Sequence, residues 1–304
     1  MSWLGVAPFK KFPAPFRLII AYGVNSLQGA LMETRIALGF APRRIMSTST
    51  AAAQRDIKIL MLHGYTQSGP LFRAKTRALE KLLIKTLAPT SLRPTLIYPT
   101  APNRILLKDI PGYLESAAAE PDDDQQQPDA RAWFRRDEVS GTYRFLAEGM
   151  AVIATAIREA QGVDAVCGFS QGGAVTALVA AALEPKRSVA EDGPDAAWVA
   201  DLRDANAGRP LRFAVSYSGF FAPNDALKWC YHPKIGTPTL HYIGSLDTVV
   251  DESRSRALVD RCQDPVVVVH PGGHHVPVAR EWVMPLAGFV TQHAGAPQRK
   301  AAAI

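Results

Sequence analysis

The sequence predicts an α/β fold, a mostly parallel sheet with helices on both faces. Three observations predict it. Six short apolar runs, beginning near residues 57, 95, 163, 213, 239 and 265, recur along the chain, and turn-forming residues close each one. Stretches with helical spacing separate them. The residues best suited to chemistry stand just past the ends of these runs, where sheets of this kind bind ligands.

The first run, Ile57-Lys58-Ile59-Leu60-Met61-Leu62, ends in His63-Gly64 and reads as a buried strand. Residues 71–87 follow with Leu71, Ala74, Ala78, Leu79, Leu82 and Leu83 at helical spacing and basic residues opposite, which predicts an amphipathic helix. Thr95–Tyr98 is the next strand, stopped by Pro99. Residues 109–130, with Pro121-Asp122-Asp123-Asp124 and a glutamine run, predict a polar surface loop. Residues 143–160 predict a helix, Val163–Phe169 a strand and Gly172–Leu183 an Ala-rich helix. Residues 184–209 are polar and read as a loop insertion. Strands at 213–217, 239–243 and 265–269 and helices at 252–262 and 279–292 complete the alternation.

A chain of 304 residues suffices for one α/β domain. The expected division is an N-terminal extension over 1–50, a catalytic domain over 51–295 and a tail over 296–304. The net charge of +6 is unevenly placed. Six basic residues (Lys10, Lys11, Arg17, Arg35, Arg43, Arg44) face one acid, Glu33, in the first 45 positions, leaving +1 for the rest. The body therefore has no footprint for nucleic acid. The stretch 16–32 is interrupted by Arg17, Asn25 and Gln28 and is too short for a membrane span. The basic, acid-poor composition of residues 1–45 as a whole fits a mitochondrial presequence. The preferred reading is an upstream extension or gene-model error with Met46 as the working start, which makes the protein cytoplasmic, and the presequence is the alternative. Three cysteines, Cys167, Cys230 and Cys262, make no disulfide framework and suit a reducing compartment.

Gly168-Phe169-Ser170-Gln171-Gly172 matches G-x-S-x-G between a predicted strand and a predicted helix. That context makes it a nucleophile elbow, in which a strained turn projects the serine hydroxyl and the glycines let strand and helix approach. The competing interpretations are a plain glycine turn and a phosphate-binding helix start. A serine hydroxyl needs a base, and the base needs an orienting acid, in the chain order Ser, acid, His for this fold. Asp247, in the loop after the fifth strand, is preferred to Asp251, which lies nearer the next helix. The glycine-rich loop His270-Pro271-Gly272-Gly273-His274-His275 supplies the base, and spacing alone leaves His274 and His275 both open. The oxyanion donors expected are the backbone amides of Gln171, after the serine, and Tyr65, after the first strand. His63 is expected to shape its loop. Phe72, Trp133, Phe220 and Phe221 are candidates for an apolar acyl pocket, or else ordinary core aromatics. No G-x-G-x-x-G follows the first strand, which argues against a dehydrogenase.

Taken in order, Leu62–Gly69, Trp133-Phe134, Gly168–Gly173, Ser218-Gly219-Phe220, Gly244-Ser245-Leu246-Asp247 with Val249-Val250, and His270–Pro277 resemble the fungal serine hydrolase (FSH) family of α/β-hydrolases over about residues 56–290. The resemblance implies the α/β-hydrolase fold and a triad of Ser170, Asp247 and His274. The family's histidine directly follows Gly-Gly, which selects His274. It implies a small-molecule acyl ester as substrate, or a thioester in members that release polyketide chains from carriers, and no metal or organic cofactor. It does not specify an oligomeric state. The chain departs from the family in its N-terminal segment and its polar stretches at 120–128 and 184–209. A member that binds a ligand without turnover is the alternative of a different class.

Overall fold

The computed structural model describes residues 54–106, 129–137, 139 and 141–295. The expected N-terminal extension, the C-terminal tail and most of the 109–130 loop lie outside the described residues. The chain enters as strand β1 (Arg55–Leu62), crosses through helix α1 (Gly69–Leu87) and returns as β2 (Leu92–Ile97). Two small antiparallel pairs follow: β3 (Asn103–Arg104) with β4 (Arg131–Ala132), and β5 (Arg135–Arg136) with β6 (Tyr143–Arg144). Next come α2 (Leu146–Glu159), β7 (Ala165–Phe169), α3 (Gln171–Ala182), α4 (Ala196–Ala205) and β8 (Phe213–Tyr217). The last elements are α5 (Lys228–Tyr231), β9 (Thr239–Gly244), α6 (Glu252–Val259), β10 (Val266–His270) and α7 (Arg280–His293).

Six strands form one parallel sheet in the order β10-β9-β8-β7-β1-β2. Side chains along β1 alternate between its faces, as the pleat requires. Ile57, Ile59 and Met61 pack with α1 and α7, while Leu60 and Leu62 pack with α2, α3 and α4. Every residue of α3 is buried, because this Ala-rich helix lies between the sheet and the outer helices. The strand order reverses at β1 and β7, so the crevice beyond their carboxyl ends is the position where this architecture binds ligands. No helix among the described residues is long and apolar enough to cross a membrane.

Three details differ from the sequence reading. The stretch 184–209 is not all loop. It contains α4, which buries Trp198, Val199, Leu202 and Ala205. Their helical spacing is present in the sequence, but the flanking Gly, Pro and acidic residues obscure it. Helix α1 forms where expected, with Pro70 in its first turn, but its buried face is turned: Phe72, Thr76, Leu79, Leu83 and Leu87 point inward and Leu71 is exposed. Strand β2 begins at Leu92, before Pro94, because β2 is an edge strand, where a missing N–H is tolerated.

The three cysteines are buried and unpaired. Two buried histidines are held neutral. His63 follows β1, where the Ala101 amide donates to its Nε2 at 3.0 Å and its Nδ1 meets the Gly64 carbonyl at 2.8 Å. Burial pushes its pKa down to about 4. His241 on β9 is likewise pushed down to about 4 by burial. The unfolded chain binds these protons near pH 6.5, so the stability from both residues is complete above pH 6.5 and is lost as pH falls toward 4. Each should cost about 2–3 kcal/mol by pH 4.5. Urea unfolding at pH 7 and pH 4.5 measures the total drop, to which His270 and His293, also lowered by burial, add, and His241→Met should make it about 2–3 kcal/mol smaller. An unchanged drop in that variant would remove His241 from the account.

Candidate active site

Ser170 lies between the end of β7 and the start of α3, with φ 54° and ψ −117°. A non-glycine residue in this region is strained by about 1–3 kcal/mol. The surroundings hold it there. Its amide donates to the Tyr217 carbonyl at 2.8 Å, and Gly168 and Gly172 close the turn on either side. A Cβ on Gly168 would fall 2.1 Å from the Gly172 oxygen, and a Cβ on Gly172 would fall 2.1 Å from the Leu62 oxygen. These glycines are required by close approach of backbone to backbone, not by their own torsions.

The Ser170 Oγ lies 2.9 Å from the Nε2 of His274, and the Nδ1 of His274 lies 2.8 Å from Asp247 Oδ2. The second carboxylate oxygen, Oδ1, accepts the amides of Val249 and Val250, each at 2.9 Å. Burial raises the Asp247 pKa. The hydrogen bonds from His274 and the Val250 and Val249 amides outweigh it and hold the carboxyl below its ordinary value. The Asp247 side chain is 1% exposed and that of His274 is 17%, so the carboxylate is shielded from water more fully than the imidazole. The acid and histidine loops are also tied to each other. Ser245 donates to the His270 carbonyl at 2.9 Å and Leu246 to the Gly272 carbonyl at 3.1 Å.

The rival residues have other positions. Asp251 caps α6, accepting the Ser253 amide at 2.8 Å. His275 packs against His270, with ring centroids 5.2 Å apart. Neither forms part of the Ser170 hydrogen-bond chain.

A cavity of about 800 Å³ opens over Ser170, lined on its apolar walls by Phe134, Tyr143, Phe220, Phe221, Val249 and Val250. Tyr65 and Gln171, the expected oxyanion donors, also line it. Two of the four aromatic candidates, Phe220 and Phe221, are in its wall. The other two are not. Phe72 is buried beneath the site, where its ring stacks on Phe169, whose ring lies 4.8 Å from that of His274. It thus backs the histidine's support. Trp133 is fully buried and its indole donates to the His63 carbonyl at 2.9 Å. These two follow the core-aromatic reading: the phase of α1 turns Phe72 inward, and the indole of Trp133 is drawn in by its acceptor.

Sequence reasoning used Gln171 only for its backbone amide. Its side chain also matters. The Oε1 accepts the Trp133 amide at 2.8 Å, and the Nε2 donates to the Phe134 carbonyl at 2.9 Å. Gln171 therefore binds the pocket wall to the elbow like one rung of a sheet. The adjacency of Trp133-Phe134 and Gln171 has no signal in sequence order. Phe134 and Tyr143, brought over the site by β5 and β6, were also missed. Among the described residues, no group of three or more His, Cys, Asp or Glu is placed to hold a metal ion.

The chain is similar to several known proteins. It is 30% identical over 234 residues to a dihydrofolate reductase of Schizosaccharomyces pombe, covering 73% of this chain and 44% of that protein. It is 30% identical to "Family of serine hydrolases 2" of Saccharomyces cerevisiae over 77% of this chain and 97% of that protein. It is 31% identical to "Esterase OVCA2" of Xenopus tropicalis over 76% of this chain and 90% of that protein. The chain thus spans less than half of the first relative and nearly all of the other two. The family model described as "Serine hydrolase (FSH1)" matches residues 52–286. With this match over the sheet and every residue of the Ser170 chain, the protein belongs to the serine hydrolase (FSH1) family and has the α/β-hydrolase fold.

Proposed function

We propose that the protein hydrolyses carboxylic esters through an acyl-enzyme, with Ser170 as nucleophile, His274 as base and Asp247 as its orienting acid. The observation that carries this reading is the continuous hydrogen-bond chain from the Ser170 hydroxyl through His274 to Asp247, opening into an apolar cavity. The family name and the names of two relatives agree with it.

In the first half-reaction the Ser170 Oγ attacks the acyl carbon and its proton passes to His274 Nε2. The oxyanion is stabilised by the amides of Gln171 and Tyr65, and His274 returns the proton to the departing alkoxide as the carbon–oxygen bond breaks. Water then attacks the acyl carbon and gives a proton to His274, which passes it to the Ser170 Oγ as the acyl–serine bond breaks and the acid leaves. Asp247 remains ionised throughout and holds the Nδ1–H tautomer. A thioester follows the same steps with a thiolate leaving, and matched oxygen and sulfur esters of one acyl group distinguish the two preferences.

Ser170→Ala should abolish both turnover of short acyl esters and labelling by a fluorophosphonate probe while the circular dichroism spectrum stays native. Retained turnover in that variant would rule the assignment out. Asp247→Asn should lower kcat about 10⁴-fold at pH 7, since the amide favours the wrong imidazole tautomer. A loss of only a few-fold would move the acid's role elsewhere. Gln171→Ala leaves a buried N–H and a buried C=O unpaired, so its melting temperature should fall by about 5 °C or more. Its kcat should fall as well, because the pocket wall and the donor amide share this residue. Native kcat and melting temperature would show the clamp to be dispensable.

A further inference from the structure

We infer that the cavity above Ser170 selects esters that carry a negative charge away from the scissile carbonyl, with Arg254 and Arg136 as the groups that recognise it. The inference rests on the hydrolase reading and names the substrate class of that same site. Three arginines, Arg135, Arg136 and Arg254, stand among the described residues lining the cavity, and no aspartate or glutamate does.

Arg254 is held in position without being used up. Its guanidinium lies 4.7 Å from the centroid of the Phe220 ring, and its hydrogen bond to the Val249 carbonyl is long, 3.5 Å. A guanidinium has five N–H donors, so stacking orients it and leaves most of its donors for a ligand. Arg136 comes from β5, which pairs with β6 through Arg136 and Tyr143. Neither Arg136 nor Arg254 forms an ion pair with a carboxylate among the described residues.

The nearby acids among the described residues are otherwise occupied. Asp247 accepts from His274, Val249 and Val250. Asp251, whose charge Arg254 does reach, caps α6. Glu252 pairs with Arg256. Asp137 accepts the Val139 amide. Arg136 and Arg254 are both exposed, so the attraction that they offer an anion is modest and is screened by salt. An apolar stretch of substrate would fill the walls, with an anionic end at the arginines. That anion can be a carboxylate at the far end of the acyl chain or a phosphate on the leaving group.

Four substrates separate these sources. One pair is p-nitrophenyl butyrate and the mono-p-nitrophenyl ester of glutarate. The other is S-butyryl-pantetheine and S-butyryl-4′-phosphopantetheine. In at least one pair kcat/KM should favour the anionic member. The anionic-to-neutral ratio should fall about three- to fivefold for each of Arg136→Gln and Arg254→Gln, the size that exposed ion pairs support, and should shrink as salt rises from about 0.05 to 0.5 M. The pair that responds identifies where the anion sits. Equal or faster turnover of the neutral member in both pairs overturns the inference and leaves the hydrolase reading standing. Failure of the fluorophosphonate to label Ser170 overturns both. Binding to the Ser170→Ala variant, measured by calorimetry with the glutarate half-ester and with the butyrate ester, decides without turnover. Tighter binding of the half-ester supports the inference, and equal or weaker binding rejects it.

Discussion

A Cβ at Gly172 would lie 2.1 Å from the Leu62 carbonyl oxygen, and one at Gly168 would lie 2.1 Å from the oxygen of Gly172. At these two points β1, β7 and α3 are in contact through bare backbone. The site depends on that approach. It brings the loop after β1, with Tyr65, against the start of α3, with Gln171, so two amides from distant sequence can face one point. It also leaves Ser170 no relaxed torsion, since the strand behind it and the helix ahead are both fixed. The strain at φ 54° is supported by buried packing on both sides, notably an α3 with no exposed residue.

Around that core the side chains are arranged so that each functional group is held by a second partner. Asp247 is fixed by two amides of its own loop before it meets His274. His274 is backed by Phe169, and Phe169 by Phe72. Gln171 ties the wall at Trp133-Phe134 to the elbow, and Trp133 in turn ties that wall to the loop at His63. His63 can serve as an anchor because burial keeps it neutral. Protonation would turn its Nε2 from acceptor to donor and break the bond from Ala101. The hydrogen-bond pattern and the depressed pKa of His63 therefore have one cause.

The succession of strands and helices along the chain and the elbow were legible because they are local. A five-residue motif between a strand and a helix reports its own geometry, and a parallel sheet writes itself as alternation along the chain. The facing of single side chains was not legible. Leu71 and Phe72 are adjacent on α1, and either phase gives an amphipathic helix. The sheet beneath decides that Phe72 goes inward. Similarly, α4 carries its apolar residues at the right spacing, but between Gly193-Pro194 and Ala207-Gly208 the polar composition outweighs the period. The Gln171 clamp joins positions 37 and 38 apart through a side chain already given a role by its backbone. Such contacts are set by tertiary approach, and no periodicity encodes them.

Charge shows the same limit in another form. A sum of +1 beyond residue 45 describes a body without a general attraction for polyanions, but a sum carries no positions. Arg136 belongs to a two-residue strand and Arg254 to the third residue of a helix over a hundred positions later, and each is ordinary in its local sequence. Folding places both at one aromatic cavity and consumes the nearby carboxylates in a cap, an ion pair and the histidine bond. The local excess is therefore made by pairing elsewhere as much as by the arginines themselves. A small ligand responds to that local field and not to the net charge. For this reason a domain that is near neutral in sum can still discriminate between a neutral ester and an anionic one at a single cavity.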